Sequence, residues 1–166
     1  AMFQVLELEE KIQHHLIDIR ELDALSKIIN QEKPDFIFHL AAQAIVSTSY
    51  LEPLETISSN VIGTTHILES LRLSNQRCVV IIITSDKAYD NVEQIWGYKE
   101  NDAMGGKDIY SGSKGAAELI IKSYYHSFFK LEKSNVRLSI ARAGNVIGGG
   151  DWAKDRIIVD AMIAWS

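Results

Sequence analysis

Two short stretches of the chain hold side chains that can move protons. In "TSDK", residues 84–87, a hydroxyl, a carboxylate and an ammonium (Ser85, Asp86, Lys87) follow directly on an apolar, β-branched run. In "YSGSK", residues 110–114, the phenol of Tyr110 and the ammonium of Lys114 are four positions apart. On a helix that spacing is one turn, a rise of about 6 Å, so both project from one face. A tyrosine ordinarily keeps its proton to about pH 10. A neighbouring ammonium stabilises the phenolate and can make it a base near neutrality. Either stretch also has a plainer reading: an exposed helical pair at 110 and 114, a solvated acid–base pair at 86 and 87. The proton-transfer reading requires both to reach one edge of one sheet.

The elements that must bring them there alternate along the chain. Residues 12–18, "IQHHLID", read as a short strand. Residues 21–32 carry Leu22, Leu25, Ile28 and Ile29 at helical spacing, and Pro34 follows their end. "DFIFHLAA" (35–42) reads as a buried strand. Residues 52–75 read as one long helix with Pro53 in its first turn and Gly63 inside. "CVVIIIT" (78–84) is the clearest strand, and a loop of about twenty residues follows, of a length that is usually functional or disordered. Residues 110–131 are helical, 136–143 form a strand, and 154–165 form a helix. Strands joined by crossover helices predict an α/β parallel sheet covered on both faces. Ligands of such sheets lie beyond the carboxyl ends of the strands, where residues 84–87 fall.

Composition narrows the partners. With 166 residues the expectation is one domain. A net charge of -5 without a Lys/Arg cluster argues against nucleic acid or an anionic membrane surface as main partner. Cys78 is the single cysteine, which leaves no intrachain disulfide, and His14, His15, His39, His66 and His126 show no metal-ligand spacing. No apolar run approaches the roughly 20 residues that span a bilayer, so the cytoplasm is the default setting.

The motifs together resemble the extended short-chain dehydrogenase/reductase family, in which a tyrosine and a lysine have this spacing. More narrowly they resemble its NAD-dependent nucleotide-sugar 4,6-dehydratases, in the branch that acts on CDP-glucose. The resemblance runs through "HLAAQ" (39–43), "NVIGTTHILE" (60–69), "TSDKAYDN" (84–91), "WGYKENDAMGG" (96–106), "YSGSKGAAEL" (110–119) and "RAGNVIGGGDWAKDRI" (142–157). It implies a Rossmann-like doubly wound parallel sheet, NAD as cofactor, a nucleotide-diphosphate sugar such as CDP-glucose as substrate, and a homo-oligomer for the full-length enzyme. It implies roles as well. Tyr110 would take the proton of the sugar C4 hydroxyl, Ser85 would help position that oxygen, Asp86 would be the acid at the departing C6 oxygen, and Lys87 the base at C5. Lys114 would hold the nicotinamide ribose and tune Tyr110. Asp86 must then keep a proton and Lys87 lose one, against reference values of about 3.9 and 10.4. Burial with the substrate has to outweigh their mutual pairing.

The resemblance also implies cofactor contacts from Asp18 and Ile19, from Leu40, Ala41, Ala42 and Gln43 at a strand end, from Asn60 in the long helix and from Thr84. An N-cap of the following helix is an equal reading for Asp18. Arg142, Asn145 and Arg156 would face the substrate, and Gly148–Gly150 would form a turn in its binding loop. One feature of the family has no counterpart here: no G-x-x-G-x-x-G turn, whose backbone N–H groups would hold a pyrophosphate, stands before Asp18. The expectation is therefore a truncated domain, residues 1–166, from the middle of a longer enzyme, with weak NAD+ affinity.

Overall fold

The computed structural model describes residues 2–74, 76–130 and 134–166. The chain divides into two compact units, residues 17–144 and residues 1–16 with 145–166.

In the larger unit, α2 (Leu22–Glu32) follows the short N-terminal helix α1 (Met2–Val5) of the other unit in sequence. It stops at Lys33, which takes the left-handed conformation with φ 47° and donates its N–H to the Ile29 carbonyl. Pro34 then forbids continuation. β1 (Phe36–His39), β2 (Cys78–Ser85) and β3 (Val136–Ala143) form a parallel sheet in the order β1-β2-β3. The register runs from Phe36↔Val79 to His39↔Ile82 and from Cys78↔Val136 to Ser85↔Ala143. β1 is shorter than the expected 35–42, because pairing ends at His39 and leaves Leu40–Ala42 as loop.

The long helix expected over 52–75 is broken into pieces. α3 (Val46–Leu51), unforeseen in the sequence, precedes α4 (Pro53–Ile57), a π-turn (Ser58–Ile62) and α5 (Gly63–Ser74). Gly63 packs closely on Ile19, whose side chain would have to shift to admit a Cβ there. α6 (Ile109–Tyr124) runs into a second π-turn (Tyr125–Phe129). The expected helix ends at Asn75 and Leu131 lie outside the described residues.

Two expectations are overturned. Residues 12–18 form no strand. With "HH" in the middle and no partner strand supplied in the described residues, the backbone groups of this segment gain nothing from an extended form. The sheet, moreover, is covered on one face only. Val80 and Ile82 pack with Leu25, Leu68, Leu71 and Ile121 of α2, α5 and α6 in one core. The opposite face leaves Phe36 63% and Phe38 60% exposed. The near-continuous apolar run of β2 suits burial on both faces, but only the Cys78, Val80 and Ile82 side achieves it.

The smaller unit contains α1, a 3₁₀ turn (Leu8–Glu10) and α7 (Ile157–Trp165). Gly150, at φ 80°, packs against Met2 there, where a Cβ would come within 2.8 Å of that side chain.

Candidate active site

Beyond the carboxyl end of β2 the chain tightens into a 3₁₀ turn (Asp86–Ala88). Ser85 makes it: its Oγ accepts the N–H of Lys87 at 3.2 Å and donates to Asp86 Oδ1 at 3.0 Å. The loop after it is closed at its base, not disordered. Gly105 N–H donates to Ala88 O at 3.0 Å, Asp90 N–H to Ala103 O at 2.9 Å, and Tyr89 pairs antiparallel with Met104. Above that closure Tyr89 stacks on Tyr98, with ring centroids 4.9 Å apart, and the Tyr98 hydroxyl donates to Asn91 Oδ1 at 2.9 Å.

The helix bearing "YSGSK" is capped by Asp108, whose carboxylate accepts the Ser111 N–H at 2.9 Å and the Ser111 hydroxyl at 2.7 Å. α6 approaches the turn closely because Gly115 sits where a Cβ would be 3.3 Å from Gly105 O and 3.4 Å from Ala88 O. Gly106 meets the first turn of the helix still more tightly, 2.5 Å from the Ser111 carbonyl carbon to an added Cβ. Gly115 thus lets the helix approach the Asp86–Ala88 turn, while Gly106 lets the end of the loop pack on the helix start.

Tyr110 and Lys114 are both buried, and the Lys114 ammonium lies 5.8 Å from the centre of the Tyr110 ring. Burial pushes the lysine below its ordinary value. Asn60, in the π-turn and 2% exposed, links two elements of the site. Its amide donates to Ser113 Oγ at 2.9 Å and to Gln43 O at 3.1 Å, and its Oδ1 accepts the Gln43 N–H at 2.8 Å. Ser113 Oγ in turn donates to the Tyr110 carbonyl at 2.7 Å. Beneath them Thr64 Oγ1 donates its one hydrogen to Asn60 O, so His39 Nε2, 3.0 Å away, must donate to Thr64. His39 is pushed down to about 4, first by burial and then by the Lys114 charge.

Asp86 and Lys87 are exposed and line a cavity of about 220 Å³ with Tyr89, Tyr98, Lys107 and Ser111. Tyr110 is not part of that wall, although its neighbour Ser111 is. Thr84 is buried and donates to Glu118 Oε1 at 2.6 Å. Asp18 accepts from Arg20 through the backbone N–H, Nε and Nη2, and this holds its carboxyl at about 2. Ile19 packs on Gly63, and its carbonyl lies 3.3 Å from His66 Nδ1. Leu40 and Ala41 are exposed beyond β1, Ala42 is half-buried, and the Gln43 side chain is engaged with Ile45 and Thr56.

Arg142, expected at the substrate, is turned inward: its guanidinium forms a bidentate pair with Glu118 and lies 4.5 Å over the Tyr89 ring. Asn145 and Arg156 fall in the smaller unit and share a cavity of about 260 Å³ there, Arg156 Nε lying 3.5 Å from Asp151 Oδ2. Ser113 and Glu118 escaped the sequence reading. Glu118 had a signal, because Tyr110, Lys114 and Glu118 repeat every fourth residue on one helical face.

A bound dinucleotide can be tested against these groups. The ammonium of Lys114 has no hydrogen-bond partner among the described residues, and Leu40 and Ala41 beyond β1 are exposed. Both fit the nicotinamide end of such a cofactor.

Comparison with known proteins agrees with the fold. A family model described as GDP-mannose 4,6 dehydratase matches residues 3–144. CDP-glucose 4,6-dehydratase of Salmonella typhimurium is 48% identical over 98% of this chain and 46% of its own length. CDP-paratose 2-epimerase of Salmonella typhi is 28% identical over 82% of this chain and 43% of its own. Among solved structures, that of RMD from Pseudomonas aeruginosa complexed with NADPH superposes with a TM-score of 0.75, at 28% identity, over 89% of this chain and 48% of that one. The fold is Rossmann-like, and the chain spans less than half the length of these relatives.

Proposed function

Because the chain belongs to the GDP-mannose 4,6 dehydratase family, we propose that it carries the catalytic residues of an NAD-dependent nucleotide-sugar 4,6-dehydratase, a hydro-lyase converting CDP-glucose to CDP-4-keto-6-deoxyglucose. The full-length enzyme would work as a cytoplasmic homo-oligomer. The observation that supports the reading is the close approach of α6, at Gly115, to Ala88 of the turn that presents Ser85, Asp86 and Lys87. The higher identity to the CDP-glucose relative than to the CDP-paratose one favours CDP-glucose as substrate.

A bound nicotinamide supplies the hydride acceptor for C4 and, after elimination, the hydride donor for C6. Lys114 and the backbone of Leu40–Gln43 would hold it, with Asp18, Ile19, Asn60 and Thr84 around the remainder. Tyr110 removes the proton of the C4 hydroxyl, whose oxygen Ser85 orients. The resulting 4-ketone acidifies the C5 proton by delocalising the carbanion as an enolate. Lys87 takes that proton while Asp86 donates its own to the C6 hydroxyl, which leaves as water. Lys87 then returns its proton to C5 as C6 is reduced. Both Asp86 and Lys87 are exposed in the chain, so the desolvation these roles need comes from the sugar closing over them. Asn145 and Arg156 would contact the diphosphate.

The test is turnover of CDP-glucose with NAD+, read as the absorbance of the 4-keto product in base. Tyr110→Phe is expected to lower the rate by about 10²–10⁴. Product from a UDP or dTDP sugar alone would move the assignment to another dehydratase. No product from any of them with the full-length enzyme would sink it.

A further inference from the structure

Glu118, 3% exposed, is among the most enclosed charges of the described residues and has no part in the steps above. It stands one turn beyond Lys114 and two beyond Tyr110 on the same face of α6. Its carboxylate accepts from Thr84 Oγ1 at 2.6 Å, from Arg142 Nε at 2.9 and 3.0 Å, and from Arg142 Nη2 at 2.6 Å. Thr84 and Arg142 are register partners on β2 and β3, and Thr84 immediately precedes Ser85, Asp86 and Lys87. Glu118 is therefore tied to both strands one residue short of the reactive turn.

Arg142 extends the tie into the loop. Besides lying over Tyr89, it donates to Glu100 O at 3.3 Å and approaches Met104 Sδ at 3.8 Å. Tyr89 and its stacking partner Tyr98 line the cavity that holds Asp86 and Lys87. One ion pair thus joins the helix, two strand ends and the cavity wall.

Resting on the dehydratase reading, we propose that Glu118 and Arg142 are positioning residues, a clamp that sets the depth and rotation of α6, and with it Tyr110 and Lys114, against Ser85–Lys87. A bidentate guanidinium–carboxylate pair fixes orientation as well as distance. A buried pair contributes little net stability against an uncharged replacement, so geometry is the better account of what it supplies. Neither residue is given a step in the reaction above.

Glu118→Gln alone strands the Arg142 charge and can cost the fold, so the decisive protein is Glu118→Gln/Arg142→Gln, which leaves net charge unchanged. It is expected to fold, to lose about a hundredfold in kcat, the scale of a small misplacement of reacting groups, and to keep the sugar KM within a few-fold. Arg142→Lys, with the charge but not the fork, should recover part of that rate. Independently of turnover, the NMR titration midpoint of Lys114 should rise in the double variant as water reaches the loosened helix. A double variant that fails to fold, or that folds with unchanged kcat and an unmoved Lys114 midpoint, overturns the clamp. If the unaltered full-length enzyme turns over no nucleotide sugar, the dehydratase reading fails while the Lys114 midpoint still decides the clamp.

Discussion

The buried histidine under the site has a measurable signature. His39 is pushed to about 4 in the folded chain against an ordinary 6.5, chiefly by burial. Between those values the unfolded chain binds a proton that the folded chain refuses, so stability falls as pH drops. Above about 6.5 its contribution is constant. From 6.5 to 4 the loss should approach about 3 kcal/mol, at 1.36 kcal/mol per unit. Urea midpoints taken across this window should slope for the unaltered chain and flatten for His39→Gln; an equal slope in both would assign the effect elsewhere. The candidate residues Ser85, Asp86, Lys87, Tyr110 and Lys114 could be picked out at this scale because their types and spacings are local facts. What Arg142 does was not. A guanidinium near "GNVIGGG" suits a phosphate as well as a carboxylate, and only the fold put Glu118 within its reach.

Helix ends and close approaches govern the element scale. Asp108 caps α6 through two hydrogen bonds, so Asp108→Ala should cost about 1 kcal/mol. That corresponds to roughly 2–4 °C in Tm for a chain of this size, read by thermal melting. Gly106→Ala inserts a methyl where the helix backbone already stands, and should cost about 1–3 kcal/mol while displacing the loop from α6. A Gly106→Ala protein with unchanged Tm would show that the two backbones are not in contact. Periodicity gave α2 and α6 nearly to their ends, whereas it missed both π-turns. A π-turn adds one residue per turn without changing composition. Its reason in the first case is tertiary: Asn60 must face both Gln43 and Ser113.

At the scale of the whole molecule, the sheet face bearing Phe36 and Phe38 is open. An apolar patch of this kind should bind a hydrophobic dye, and Phe38→Lys should reduce that fluorescence with little change in Tm. NAD+ titration by calorimetry should give weak binding, since these 166 residues contain no glycine-rich turn for the pyrophosphate; tight binding would mean other backbone groups hold it. What the sequence determined unaided is whatever depends on neighbours in the chain: the parallel α/β class, the strand at 78–84, the helical face of Tyr110 and Lys114. Tertiary structure alone decided which sheet face is covered, that 12–18 stays irregular, and that Glu118 pairs with Arg142. Those outcomes depend on what surface each residue meets across space, and hydrophobic pattern states only that a partner is needed, never which one arrives.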